Sequence, residues 1–182
     1  LIPGEAGMGK SRLVAETLQR AEPHGIRRTQ GNCFETARAF PYAPLLDLLH
    51  HTSGLRAFYT LLGISGWRAN ELFTEQKLLD LVSRQKALNF SPGTEFLYNN
   101  TGYALLAVVV RRASGQSLRD FAAAHIFRPL GMTHTQFRDD HSSVIDGEAI
   151  GYSQQVGGYA VSIPQLDVVG DGGVFSTVSD LA

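Results

Sequence analysis

Three short runs of this chain hold residue types at spacings that could do chemistry. Gly4-Glu5-Ala6-Gly7-Met8-Gly9-Lys10-Ser11 fits G-x-x-x-x-G-K-[ST]. In such a loop backbone N–H groups cradle phosphate oxygens, the lysine reaches the outer phosphates and the hydroxyl reaches magnesium. Ser83-Arg84-Gln85-Lys86 fits S-x-x-K, in which positions i and i+3 of a helix bring a serine nucleophile and a lysine to one face. His134 and His141, with Asp139 and Asp140 between them, offer imidazole and carboxylate groups of the kind that ligate metals.

The elements around these runs separate them. After Lys10, Leu13, Val14, Leu18 and Ala21 recur at helical intervals, so the loop opens into an amphipathic helix. Pro23 and Gly25 end that helix, and residues 26–35 read as a strand. Only Leu1-Ile2-Pro3 precedes Gly4, where a phosphate-binding loop normally follows a buried strand, so the N-terminus is expected to be cut. A working NTPase also needs an apolar strand ending in an acidic residue, to hold the metal and position water. "LLDLL" (45–49) sits in a helical run and "QLDVVGD" (165–171) in another motif context. Two readings stay open for Gly4–Ser11: nucleotide binding without hydrolysis, or a glycine-rich turn with no ligand.

Ser83 stands late in a helix that Thr74 caps and whose Leu78, Leu81 and Val82 share a face. It has no oxyanion-hole candidate behind it, so a solvated helix end is expected. The two histidines lie seven residues apart in a polar loop, a spacing that matches no zinc framework. His51-Thr52-Ser53-Gly54 mimics an H-x-G box, but its expected work is to turn the chain after a helix. Cys33, the single cysteine, can form no internal disulfide.

Composition narrows the partners. With 16 basic and 17 acidic residues, a net charge of −1 and 43% hydrophobic residues, the 182-residue chain reads as globular and offers no basic field to a nucleic acid. The longest apolar run, Tyr103 to Val110, falls far short of the roughly 20 residues that span a bilayer and reads as a buried helix.

Between these runs, Pro92-Gly93 makes a turn and "TEFLY" (94–98) is short and extended. Asn100 or Thr101 can cap a helix that runs to about Ala113 and is anchored by Tyr103, Leu106 and Val110. Tyr98 and Asn100 thus stand where a loop enters a helix. A second helix begins near Ser117 and stops at Pro129 and Gly131, and Tyr103 and Phe121 read as core aromatics. The expected fold class is mixed α/β and mainly helical, with helices from about 44 to 130 and short strands between 133 and 172.

Two resemblances follow from longer stretches. Residues 1–48, with their GxxGxGKSRL start, "GNCFE" (31–35) and "FPYAPLLDLL" (40–49), resemble the P-loop of AAA-like ATPase modules in large bacterial regulators and cyclases. That resemblance implies ATP binding through Gly4, Gly7, Gly9, Lys10 and Ser11, with Ser11 as a magnesium ligand once nucleotide is bound, and a cytoplasmic location.

Residues 49–182 resemble the serine beta-lactamase and penicillin-binding-protein-like hydrolases with a Tyr-x-Asn box. The matching fragments are "HTSGL" (51–55), "PGTEFLYNNTGY" (92–103), "SGQSL" (114–118), "PLGMTHT" (129–135) and "GGVFSTVSDLA" (172–182). The resemblance implies a partial transpeptidase-like helical region with no cofactor. In that family a serine attacks a carbonyl to form an acyl-enzyme, a lysine and the tyrosine move protons, and the asparagine orients substrate or lysine. By motif position Tyr98 is the proton-transfer residue and Asn100 the polar orienter. A phenol with an ordinary pKa near 10 needs cationic neighbours for this work. Substrates would be small esters, amides or beta-lactams, and many relatives are periplasmic or extracellular.

The family's S-x-x-K box lies well upstream of "HTSGL", where this chain carries the P-loop segment, and its K-T-G or H-x-G box would fall beyond Ala182. The expectation is a partial serine hydrolase, inactive as this chain. A nucleotide-binding module and a non-catalytic fusion or truncation product are the alternatives. With the flanking sheet strands missing, apolar surface should be exposed, and marginal stability or self-association is expected.

Overall fold

The computed structural model describes residues 42–68, 70–163 and 165–182. The phosphate-loop residues Gly4, Gly7, Gly9, Lys10 and Ser11, the strand expected over 26–35 and Cys33 lie outside the described residues.

Local signals start and stop the helices. Helix α1 (Ala43–Leu49) carries a proline in its first turn, where no intrahelical N–H is needed. Helix α2 (Phe58–Ser65) ends at Gly66, whose left-handed φ of 79° lets its N–H close on Leu62 O. Helix α3 (Glu75–Ser83) starts at Thr74, whose hydroxyl accepts from Lys77 N–H, and Glu75 favours the positive end of the helix dipole. Helix α4 (Asn100–Ser114) runs from an Asn99 cap to a left-handed Gly115, with Arg111 and Arg112 in its last turn. Helix α5 (Leu118–Ala122), capped by Ser117, widens into a π turn over Ala123–Phe127. The expected run of helices between 44 and 130 is therefore present.

Helix α4 corrects one expectation. Its buried stripe is Thr101, Gly102, Ala104, Ala107 and Val108, while the expected anchors Tyr103, Leu106 and Val110 are only half-buried, as is Phe121. The cause is close approach of backbone to backbone. A Cβ on Gly102 would lie 2.7 Å from Leu48 O in α1, and one on Gly170, at φ +112°, would lie 2.5 Å from Tyr103 O and 2.9 Å from the Ala107 Cβ. Only small side chains fit between elements packed this tightly.

The apolar core gathers Phe58, Leu62, Phe73, Leu78, Ala104 and Val168, with Trp67, Leu81, Val82 and Leu166 against it. The Phe58 and Phe73 rings stack at 5.6 Å and 9°. Burying such a side chain stabilises by roughly 1.5–3 kcal/mol. Phe73 also forms a parallel bridge to Leu166: its N–H donates to Gln165 O (2.9 Å) and its carbonyl accepts from Asp167 N–H (3.0 Å).

Strand β1 (Gln136–Phe137) pairs antiparallel with β4 (Val174–Phe175), Gln136 opposite Phe175. Strands β2 (Tyr152–Gln155) and β3 (Gly158–Val161) form a separate hairpin, Tyr152 opposite Val161. A short helix α6 (Val178–Leu181), capped by Thr177, follows β4. The described sheet is thus two small pairs, in keeping with the short strands expected. No described helix is long and apolar enough to cross a membrane.

Candidate active site

The Tyr98 to Asn100 segment is held by the turn that follows α1. His51 sits at φ 58° and Gly54 at φ 69°, so the "HTSGL" stretch does turn the chain after a helix. The 89–97 segment is laced to it by backbone bonds: Asn89 N–H to Gly54 O (2.7 Å), Gly93 N–H to Thr52 O (2.9 Å) and Leu97 N–H to His51 O (3.1 Å). Gly54 must be glycine here, because a Cβ would fall 2.1 Å from Phe90 O. The Pro92-Gly93 turn forms as expected, with Gly93 at φ 79°.

The His51 imidazole packs between Phe96 (5.8 Å), Tyr98 (4.5 Å) and Tyr103 (5.2 Å), measured between ring centroids. Its Nδ1 lies 3.1 Å from Asn99 O and 3.4 Å from Asn99 N. Asn99 itself is 2% exposed. Its side-chain oxygen accepts from Gly102 N–H (3.1 Å) and its amide donates to Leu97 O (3.2 Å). The middle residue of the box is therefore the cap, which corrects the assignment of that work to Asn100 or Thr101. Thr101 is fully buried and serves another element. Its hydroxyl accepts from Phe58 N–H (2.9 Å), an N–H left without an intrahelical partner at the start of α2, and donates to Arg56 O (2.7 Å).

On either side of that buried cap, Tyr98 is 64% exposed and Asn100, the first residue of α4, is half-buried. Among the described residues neither the Tyr98 hydroxyl nor the Asn100 amide has a hydrogen-bond partner.

Of the other candidates only His141 and Asp140 are brought together. Ser83 is the last residue of α3, is exposed and donates to Asp80 O (3.0 Å), while Lys86 lies beyond the helix, so the two share no helical face. His134 donates its backbone N–H to Asp180 (2.8 Å) and Asp139 pairs with Arg119 (3.4 Å). His141 and Asp140 instead meet Asp167, their ligand atoms within 4.8 Å of one another. Asp167 is occupied there by both the His141 backbone N–H (2.7 Å) and Nδ1 (2.9 Å), and Asp140 by Ser142.

Asp180, Tyr59 and Asp171 escaped the sequence reading because their partners are remote. Asp180 accepts from the Thr135 hydroxyl (2.7 Å) and the His134 N–H, and these bonds hold its carboxyl below the usual range. Serine bonds from Ser142 do the same for Asp140. Burial first, then the Asp171 charge and a hydrogen bond to it, pushes the Tyr59 phenol up to about 12, and burial raises Asp171. Arg138 pairs with Glu148 (2.6 Å) and lies 4.4 Å over the Phe175 ring.

This arrangement has relatives. A penicillin-binding protein of Bacillus subtilis is 34% identical over 78% of this chain and 35% of its own length. A D-aminopeptidase of Cereibacter sphaeroides is 29% identical over 78% of this chain and 27% of its own. Among solved structures, the D-amino acid amidase from Ochrobactrum anthropi complexed with L-phenylalanine amide superposes with a TM-score of 0.62 at 28% identity, over 76% of this chain and 40% of that one. A penicillin-binding protein from Bacillus halodurans shares the fold, with a TM-score of 0.64 at 24% identity over 95% of this chain and 54% of that one. The chain spans about a quarter to a third of the length of the curated relatives it matches. The family model described as Beta-lactamase matches residues 34–182, taking in both the turn at His51 and the Tyr-x-Asn box, and the chain belongs to the beta-lactamase family.

Proposed function

We propose that this chain supplies the Tyr-x-Asn portion of a serine hydrolase that works through an acyl-enzyme on small amides, esters or beta-lactams. Tyr98 transfers protons between the nucleophile and the leaving group, and Asn100 orients the substrate or the catalytic lysine. The observation that carries the reading is the placement of Tyr98 and Asn100, both without partners among the described residues, on either side of a buried Asn99 cap. A rigid cap between two open polar groups is the kind of support that precise proton transfer requires. The likeness to a D-aminopeptidase and a D-amino acid amidase favours amides of amino acids as the substrate class.

The S-x-x-K match at Ser83 and Lys86 lacks the shared helix face that nucleophile activation needs. Without another nucleophile, this chain by itself forms no acyl-enzyme. Incubation with a labelled penicillin or a fluorophosphonate, followed by intact mass, tests this, and an adduct on Ser83 would refute it. The positive test grafts residues 42–182 into the matching segment of the Bacillus subtilis relative. The chimera should hydrolyse an activated ester, and Tyr98→Phe should lower its kcat by about a hundredfold or more, as expected for loss of general acid–base catalysis. An unchanged kcat in a folded Tyr98→Phe chimera would remove Tyr98 from the reaction.

Two further proposals accompany this one. The spacing of Gly4–Ser11 favours binding of ATP, with Ser11 on magnesium once nucleotide is present. A cytoplasmic location goes with that reading, a periplasmic or extracellular one with the hydrolase. Exposed Tyr152, Val156 and Tyr159 on the β2–β3 hairpin favour self-association, to be read from sedimentation at two protein concentrations.

A further inference from the structure

A cavity of about 490 Å³ lies between the start of α2 and the segments around β1, β3 and β4, within the roughly 300–1,000 Å³ of ordinary small-molecule sites. Its charged lining is Arg138, Glu148 and Asp171, with the Tyr59 hydroxyl beside Asp171 and Leu166 and Phe175 as apolar wall. Arg138 is committed to Glu148 at 2.6 Å and stacks on Phe175. That leaves the cavity one carboxylate in excess. Among the described residues no lysine, arginine or histidine pairs with Asp171, and the neutral Tyr59 lines the same cavity beside it.

The cavity of about 430 Å³ beside α4 differs in this respect, because each carboxylate in it already faces a base: Glu75 faces Arg111, Asp139 faces Arg119 and Asp167 faces His141. Half-buried Asp171 has no such partner, and burial raises its carboxyl, as expected when a negative charge is desolvated without compensation. A cation entering beside it would remove that penalty.

We propose that this cavity binds a small organic ammonium ion, a primary amine on an apolar body, with the amine against the Asp171 carboxylate and the Tyr59 oxygen and the body against Leu166 and Phe175. An ammonium carries three donors, and the carboxylate and the phenol lone pairs accept them. A calcium or magnesium ion is the poorer fit, since such ions need several oxygen ligands and the cavity offers one uncommitted carboxylate beside the neutral Tyr59 and Ser162 hydroxyls. The proposal stands apart from the hydrolase reading, because neither Tyr98 nor Asn100 lines the cavity and its test reads binding rather than turnover.

Phenethylamine is the probe and phenethyl alcohol its neutral counterpart, each titrated into the full chain by calorimetry. The amine should bind more tightly than the alcohol by about tenfold or more, the size of one compensated charge contact. Asp171→Asn, which keeps an acceptor for Tyr59, should bring amine affinity down to the level of the alcohol. Equal affinity of the two probes for the wild-type chain would overturn the proposal even if the variant failed to fold. Unchanged amine binding by a folded Asp171→Asn chain would also overturn it, as would displacement of the amine by equimolar calcium.

Discussion

The Tyr98 ring rests on the imidazole of His51, centroids 4.5 Å apart and planes inclined by 48°, while the same imidazole reaches the Asn99 backbone through Nδ1. One side chain thus supports the proposed proton-transfer residue and the neighbouring cap. His51→Ala removes the ring contacts to Phe96, Tyr98 and Tyr103 but leaves the backbone bond from Leu97. It should cost about 1–3 kcal/mol in urea unfolding, since Asn99 loses a part-buried partner. In the chimera it should lower kcat without removing it.

Thr101→Val keeps the shape of the side chain and deletes its hydroxyl. The Phe58 N–H and Arg56 carbonyl then lose the partner they share. A destabilisation of about 1–3 kcal/mol is expected for buried groups left unpaired. Equilibrium unfolding checks it, and a change within about 0.5 kcal/mol, typical of surface sites, would mean that the hydroxyl carries no such role.

Acid should loosen the join between β1 and α6. The Asp180 carboxyl is held below its ordinary value by Thr135 and His134, so it favours the folded state above the unfolded carboxylate pKa of about 3.9 and loses that contribution as pH falls through the folded value. Stability should therefore drop with pH below about 4, and Asp180→Asn should flatten that part of the profile. Thermal melts between neutral pH and pH values well below the unfolded pKa measure the slope; identical slopes in wild type and variant would contradict it.

If residues 1–30 fold as strand, loop and helix, as the ATP-binding proposal requires, Mg-ATP should bind weakly and Lys10→Ala should abolish binding by removing the lysine that would reach the outer phosphates. Turnover should stay at background. Calorimetry with equal affinity for both chains would assign any binding to nonspecific sites.

Much of the helical layer was legible because its signals are local. Thr74 caps α3 as its position before an apolar run indicated, α5 begins at Ser117 as expected, and Leu78 is buried on the face its spacing defined. The cap of α4 was misplaced for a physical reason. Asn99 and Asn100 are chemically equal candidates, and the choice falls to Asn99 because its backbone meets His51, a residue remote in sequence. The buried stripe of α4 was misread likewise: hydrophobicity points to Tyr103, Leu106 and Val110, whereas the close approach of α1 and of Gly170 selects small residues. Nothing local marks the Tyr59 and Asp171 contact, since neither residue type nor spacing announces a partner across the fold.

The bridge between Phe73 and Leu166 joins segments far apart in the chain by two backbone bonds, and the fully exposed tip of the β2–β3 hairpin lies between them. A protease cutting at Val156 would sever the chain without touching that bridge or the stacked Phe58 and Phe73 rings. The long and the short fragment have reason to remain a nicked complex and to find each other again when mixed, so the hairpin tip is the natural place to split this fold into complementing fragments.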